Sequence, residues 1–310
     1  MKAGPTIRKR FITLLITLLC ISATHARDIK DQGDGLRIEG QPGRVVVLEY
    51  SFLDAVVLAG ISPVGIADDQ RKERILPVIR KQLSSYTSVG LRGQPSIETI
   101  ARLKPDLIIA DKTRHQSIYS ELQQIAPTLL LRSYGAEYPQ LLKDARIIAA
   151  ALDKDTEVEA ALTLHQQHMN AYSQRLSNQA TPTDKDKQLL FAVTSQRTMT
   201  LHGSKAFASG VMKRLGLQNA APLNDQRAYI QIGFEQLLEM NPNWLIIGDY
   251  SAEEGGSELL RRWQKHPLWQ QLSAVKSKQL LTADPLAWSL GRGIYGAERI
   301  AADLTAALTQ

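Results

Sequence analysis

One segment of the chain occurs twice. Ile97-Glu98-Thr99-Ile100-Ala101-Arg102-Leu103-Lys104-Pro105-Asp106-Leu107-Ile108-Ile109 aligns with Phe234-Glu235-Gln236-Leu237-Leu238-Glu239-Met240-Asn241-Pro242-Asn243-Trp244-Leu245-Ile246, and one offset relates Glu98 to Glu235 and Pro105 to Pro242. Apolar residues recur at helical spacing after each glutamate, and a residue before proline is pushed out of the helical region. Each copy therefore predicts a short amphipathic helix that stops at Lys104-Pro105 or Asn241-Pro242, followed by a buried strand. The copies lie much further apart than the roughly 20–50 residues of a stacked repeat, which leaves two similar lobes. Two lobes imply a cleft, and two matching glutamates imply a partner that reads both.

The first 26 residues read as an export signal. Lys2, Arg8, Lys9 and Arg10 precede the short apolar run Phe11 to Ile21, and Thr24-His25-Ala26 offers a cleavage site. That run falls short of the roughly 20 residues that span a bilayer. Cys20, the only cysteine, lies inside it between Leu19 and Ile21. A lipoprotein signal needs a small residue just before its cysteine, so no lipid anchor is expected and the mature chain carries no thiol. Loss of four basic residues with the signal takes the formal charge from +6 to +2, too little to argue for nucleic acid.

After the signal the pattern is strand and helix in alternation. Val45 to Leu48, Val64 to Ala67, Leu107 to Ala110 and Pro127 to Leu131 are strand candidates in the first half. Leu189 to Val193, Trp244 to Ile247 and Gln279 to Thr282 serve in the second, with a closing helix over Ile294 to Leu308. Alternation of this kind predicts an α/β fold with mainly parallel sheets. Between the halves, residues 155–177 read as one long helix with Thr156 and Glu159 as a capping box. It divides an N-terminal lobe, 27–154, from a C-terminal lobe, 178–310.

The stretches Val89-Gly90-Leu91-Arg92-Gly93-Gln94-Pro95-Ser96-Ile97-Glu98 and Leu103 to Ala110 resemble the iron-siderophore and cobalamin class of periplasmic binding proteins. Arg44 to Glu49, Gly65 to Asp69, Ile118 to Pro127, Trp269 and Gly296 to Asp303 extend the likeness over nearly all of the mature chain. Within the class the similarity is greatest to binders of ferric dicitrate. The resemblance implies a class III binding protein: two α/β lobes joined by a single long helix, with the ligand between them. It implies a monomer in the periplasm that serves the permease and ATPase of an inner-membrane ABC importer. One glutamate per lobe docks on permease arginines in this class, and the matching positions here are Glu98 and Glu235.

Ferric citrate is an anion whose iron is already ligated by carboxylate and hydroxyl oxygens. A receptor for it needs fixed cations rather than metal ligands or a cofactor, and arginine supplies bidentate geometry. Arg92 leads, because its loop precedes the first docking helix and its motif resembles a ligand-contacting arginine of siderophore binders. Arg114 and His115 follow the strand Leu107 to Ala110, at the end where parallel sheets bind ligands. Ser195 and Arg197 take the equivalent place after Leu189 to Val193, and Arg292 lies near Trp288 in the last loop. For these residues ligand contact and ordinary surface charge stand as two open readings, and Trp288 could equally pack in the core. Tyr50 and Tyr229 are weaker candidates. Asp68 and Asp69 argue against a uniformly cationic cleft.

Three further patterns carry little. Gly291-Arg292-Gly293-Ile294-Tyr295-Gly296 has dinucleotide-loop spacing without room for the following strand. Ser273 to Lys276 lacks the companion motifs of a serine hydrolase. His165 and His168, one turn apart on the long helix, read as a solvated face. Competing functions are a binder of hydroxamate or catecholate siderophores, against which the aromatic-poor chain argues, and a chelate-processing enzyme on the same scaffold. No nucleophile, base and orienting group emerge together for the latter, and an enzyme is not expected.

Overall fold

A computed structural model describes residues 26–178, 188–222 and 227–309. Residues 1–25 of the signal segment, with Cys20, and all but the first residue of the polar loop Asn178 to Asp186, lie outside the described residues. The chain enters through an antiparallel hairpin, Ala26–Ile29 with Leu36–Glu39. No helix of the described residues is long and apolar enough to cross a membrane.

The N-terminal sheet contains β1 (Val45–Val47), β2 (Gly65–Ile66), β3 (Thr87–Ser88), β4 (Leu107–Asp111) and β5 (Thr128–Leu131). All neighbours are parallel, in the order β3-β2-β1-β4-β5. The order reverses between β1 and β4, and the crevice beyond the carboxyl ends of those two strands is where doubly wound sheets hold ligands. The C-terminal sheet contains β6 (Gln188–Thr194), β7 (Met199–His202), β8 (Gln218–Asn219), β9 (Tyr229–Ile232), β10 (Trp244–Asp249) and β11 (Leu280–Ala283). Its path is β9-β7-β6-β10-β11, with β8 also on β6. β8, β10 and β11 pair in parallel, whereas β7 and β9 run antiparallel. The sequence marks neither β7 nor β9, since four residues of alternation cannot be told from a loop.

A single 23-residue helix, Asp155–Ser177, joins the lobes and spans about 35 Å. Val158, Leu162, His165 and Met169 form its buried stripe. The expected capping box is absent: Lys154 is the N-cap and makes no side-chain cap bond. Glu159 instead reaches back to Arg146 at 2.7 Å, tying the linking helix to the helix Tyr138–Leu152 before it. His165 is likewise not solvated. It is buried, it shares a 2.6 Å hydrogen bond with Tyr138 Oη, and its Nδ1 lies 2.8 Å from Glu298. Glu298, on the closing helix Ile294–Leu308, also meets His168 at 3.2 Å.

Both faces of each sheet are covered, and alternate residues along each strand belong to different cores. Val46, Ile108 and Leu130 face a cluster confined to the first lobe, and Leu190, Ala192 and Leu245 one confined to the second. Val45, Val47, Ile109, Phe191 and Ile246 all face a third cluster, shared with the linking and closing helices. The lobes are thus joined by apolar packing as well as by chain. The dinucleotide-like glycines have a packing role there. Asp54 of the helix Tyr50–Leu58 accepts a bond from Tyr295 N at 3.1 Å, and a Cβ on Gly293 would collide with its carboxylate. Burial pushes the Asp54 carboxyl up to about 7.

The twice-written segment has matching geometry in both lobes. Its helices are Ile97–Arg102 and Phe234–Met240, each with an exposed glutamate at the second position. Lys104 and Asn241 both adopt positive φ, 46° and 38°, just before their prolines. Ser96 caps the first helix through Thr99 N, and Gln236 reaches back to Gly233 N in the second.

Candidate functional site

At the switch point stands Glu49, a residue the sequence did not single out. It lies two residues past the end of β1, caps the helix Tyr50–Leu58 through Tyr50 N at 3.0 Å, and is fully buried. Three arginines from three separate segments converge on its carboxylate. Arg92 Nη1 lies 2.8 Å away, Arg114 Nε 2.9 Å, and Arg292 Nη2 3.7 Å. Burial opposes the Glu49 charge, but Arg292, Arg92 and Arg114 outweigh it and hold the carboxyl below its usual range.

Each arginine is placed by local structure. Arg92 occupies the turn of a small hairpin, Gly90–Leu91 with Gln94–Pro95, and its guanidinium lies 4.4 Å from the Tyr50 ring centre. Its other edge is filled by Asp69, which accepts from Nε at 3.0 Å, from Nη2 at 2.8 Å and from the backbone N at 2.9 Å. Asp69 also takes Arg74 at 3.2 Å. Asp69 and Gln70 are consecutive non-glycine residues at positive φ, 55° and 56°, a strained conformation of the kind kept at functional sites. Asp68, its buried neighbour, anchors this loop through Tyr86 Oη, Ser88 Oγ and Gln70 N.

Arg114 sits in the short helix Lys112–His115, which Asp111 caps at the end of β4. Its side chain remains 25% exposed, and no hydrogen bond among the described residues engages its terminal nitrogens. The guanidinium lies 5.0 Å from the ring of Tyr134, itself exposed and unmarked by the sequence. Arg292 arrives from the other lobe, after the π-helical turn Leu286–Leu290. It is buried, donating to Ser289 O at 2.8 Å and across the cleft to Ser133 Oγ at 2.7 Å.

The structure therefore brings together Arg92, Arg114 and Arg292 but not the rest of the candidate set. His115 is fully buried with both ring nitrogens in use: Nδ1 accepts from Asp111 N and Nε2 bonds Arg92 O at 2.7 Å. It braces the Arg92 turn and has no ring nitrogen left for a ligand. Trp288 is fully buried, donates to Asp303 at 2.9 Å and packs on Phe191 at 4.8 Å. Of its two readings, the core one describes its position. Ser195 and Thr198 bond each other at 2.7 Å in the β6–β7 turn, and Arg197 is exposed at its tip.

A recess of about 200 Å³ opens between the lobes, with Arg71, Glu73 and Arg74 on one side and Asp249, Tyr250 and Asp284 on the other. The recess itself carries two arginines and three carboxylates, whereas in the cluster around Glu49 four arginines (74, 92, 114 and 292) stand against two carboxylates, Glu49 and Asp69. Such an array suits a multiply charged, oxygen-rich anion. No group of three or more His, Cys, Asp or Glu able to hold a metal ion occurs among the described residues.

Comparison with known proteins agrees in both sequence and fold. Residues 45–287 match the family model described as "Periplasmic binding protein". The chain is 41% identical over 286 residues to the Fe(3+) dicitrate-binding periplasmic protein FecB of Escherichia coli (strain K12), covering 92% of this chain and 91% of the relative. It is 39% identical to the Fe(3+)-citrate-binding protein YfmC of Bacillus subtilis (strain 168), covering 90% and 85%. Among solved structures, Staphylococcus aureus SirA complexed with staphyloferrin B superposes with a TM-score of 0.78 at 24% identity, over 91% of this chain and 98% of that one. That last likeness is one of fold.

Proposed function

The chain belongs to the periplasmic binding protein family, and on that premise we propose that it captures iron(III) dicitrate between its lobes and delivers it to an inner-membrane ABC importer. The observation that carries the cargo is the gathering of Arg92, Arg114 and Arg292 around Glu49 at the switch point. Fixed guanidinium groups match carboxylates that already wrap the iron, so the protein holds the chelate without ligating metal and needs no cofactor. It acts as a periplasmic monomer and as a carrier rather than a catalyst. A tryptophan-fluorescence titration tests this: ferric citrate should saturate the signal, while hydroxamate siderophores leave it nearly unchanged. Equal or stronger response to a hydroxamate would overturn the citrate reading.

Glu98 and Glu235 are the docking pair for the permease in this reading. Both are exposed in the first turn of matched helices, and rim charges of this kind govern encounter and orientation. The double variant Glu98→Ala, Glu235→Ala should cut cellular uptake of ferric citrate about tenfold while binding stays within twofold of wild type. Normal uptake by that variant would remove the docking assignment.

A further inference from the structure

Three side chains of the C-terminal lobe hold buried polar atoms without any hydrogen-bond partner: Tyr229 at Oη, Arg292 at Nε, and His202 at both ring nitrogens. Buried polar atoms are paired in nearly all cases, and each exception calls for a reason. These exceptions are neighbours. His202 and Tyr229 face each other across β7 and β9, with ring centres 5.1 Å apart and nearly perpendicular. The charge of Arg292 acts on both of them. Tyr229 in turn touches Tyr134 of the other lobe at 5.1 Å, and Arg114 lies over Tyr134. A chain of side-chain contacts thus links the open guanidinium of Arg114 to the unpaired groups.

We infer that Tyr229, His202 and Arg292 Nε form an inner subsite that receives one carboxylate arm of the bound chelate. This deepens the ferric-dicitrate reading and rests on it. Tyr229 Oη and Arg292 Nε are donors, which an anionic oxygen satisfies together. Neutral imidazole presents one donor and one acceptor, so it serves the carboxylate through its N–H and a hydroxyl through its bare nitrogen. Burial, with Arg292 alongside, drives the His202 pKa down to about 3, so the ring stays neutral throughout the physiological range. Both terminal nitrogens of Arg292 already have partners, Ser289 for one and Ser133 with Glu49 for the other, which leaves Nε as the guanidinium nitrogen without one. The Tyr134–Tyr229 contact closes this subsite, and an entering chelate parts the two rings.

A merely buried hydroxyl and a ligand-reading hydroxyl predict opposite outcomes for Tyr229→Phe. Removing an unpaired buried hydroxyl relieves an unmet desolvation cost. The ligand-free variant should therefore unfold at the same urea concentration as wild type or a higher one. Its ferric-dicitrate affinity should nevertheless fall about tenfold, the worth of one hydrogen bond to a charged group. His202→Phe, of similar shape, should weaken binding likewise. Affinity within twofold of wild type in both variants overturns the subsite, as does a loss of affinity accompanied by a lower urea midpoint in both. The wild-type titration over a panel of ferric carboxylate chelates tests the cargo separately. The ratio of variant to wild type, taken with whichever chelate binds, tests the subsite, and a wild type that binds none of them overturns both.

Discussion

Glu49→Ala should destabilise the fold by about 3–5 kcal/mol, the loss expected when one partner is removed from a buried ion pair. The carboxylate is fully buried and serves three guanidinium groups, two of them also nearly buried. Without it, Arg92 and Arg292 face each other across a dry junction with no intervening anion. The same junction joins the lobes, because Arg292 belongs to the second and Glu49 to the first. Urea unfolding measures the loss, and a midpoint close to wild type would show that the arginines find other partners.

The pH dependence follows from the direction of the Glu49 shift. Its folded-state pKa lies below the ordinary value of 4.5 because the arginines outweigh burial. Its contribution is therefore present above about 4.5 and is lost as the pH falls through the depressed value. Glu49→Gln should be clearly less stable than wild type at pH 7, and the two should converge in strong acid. A stability difference that persists unchanged to pH 2 would point to shape rather than charge.

Arg114→Ala should weaken ferric-citrate binding by about 1.5–3 kcal/mol, roughly ten- to 150-fold. Arg114 is the member of the trio whose terminal nitrogens remain open to the cleft. Arg92, the leading residue on sequence grounds, has its guanidinium shared between Asp69 and Glu49, with its side chain only 10% exposed. The two variants should therefore differ in kind. Arg114→Ala should lose affinity with a small change in urea midpoint, whereas Arg92→Ala should lose both. Arg114→Lys should not restore the affinity, because a single ammonium cannot reproduce a bidentate fork. Calorimetry on the two alanine variants separates them, and wild-type affinity for Arg114→Ala would end its role as the open contact.

Much of the architecture was legible because it depends on local pattern. Apolar runs of four residues mark β1, β4, β5 and β6, and the prolines after Lys104 and Asn241 mark the ends of the repeated helices. The linking helix was legible from its length and polar flanks, although its cap was not. Thr156 with Glu159 satisfies the spacing of a capping box, yet Arg146 from the preceding helix takes the Glu159 carboxylate. A tertiary partner outcompeted a local one. The antiparallel strands β7 and β9 were missed for a related reason: each is too short to announce itself and is held by its neighbours.

The site divides in the same way. That arginines at the carboxyl ends of strands would meet in a cleft could be argued from strand order alone. The role of Glu49 could have been suspected from its place, a lone carboxylate directly after an apolar run. Its three partners come from positions 92, 114 and 292, and no spacing in the chain relates them.

By itself, then, the sequence determined the class of the molecule: a duplicated helix–strand unit, two lobes, one connecting helix and a pair of exposed glutamates. These follow from periodicity, proline and repetition, which act over a few residues and survive without knowledge of packing. Only the tertiary structure decided which cations stay open to the cleft and which are neutralised, and it turned His115 and Trp288 inward to bracing and core positions. Charge in a dry junction depends on what lies within a few ångströms, and those neighbours are assembled from distant parts of the chain.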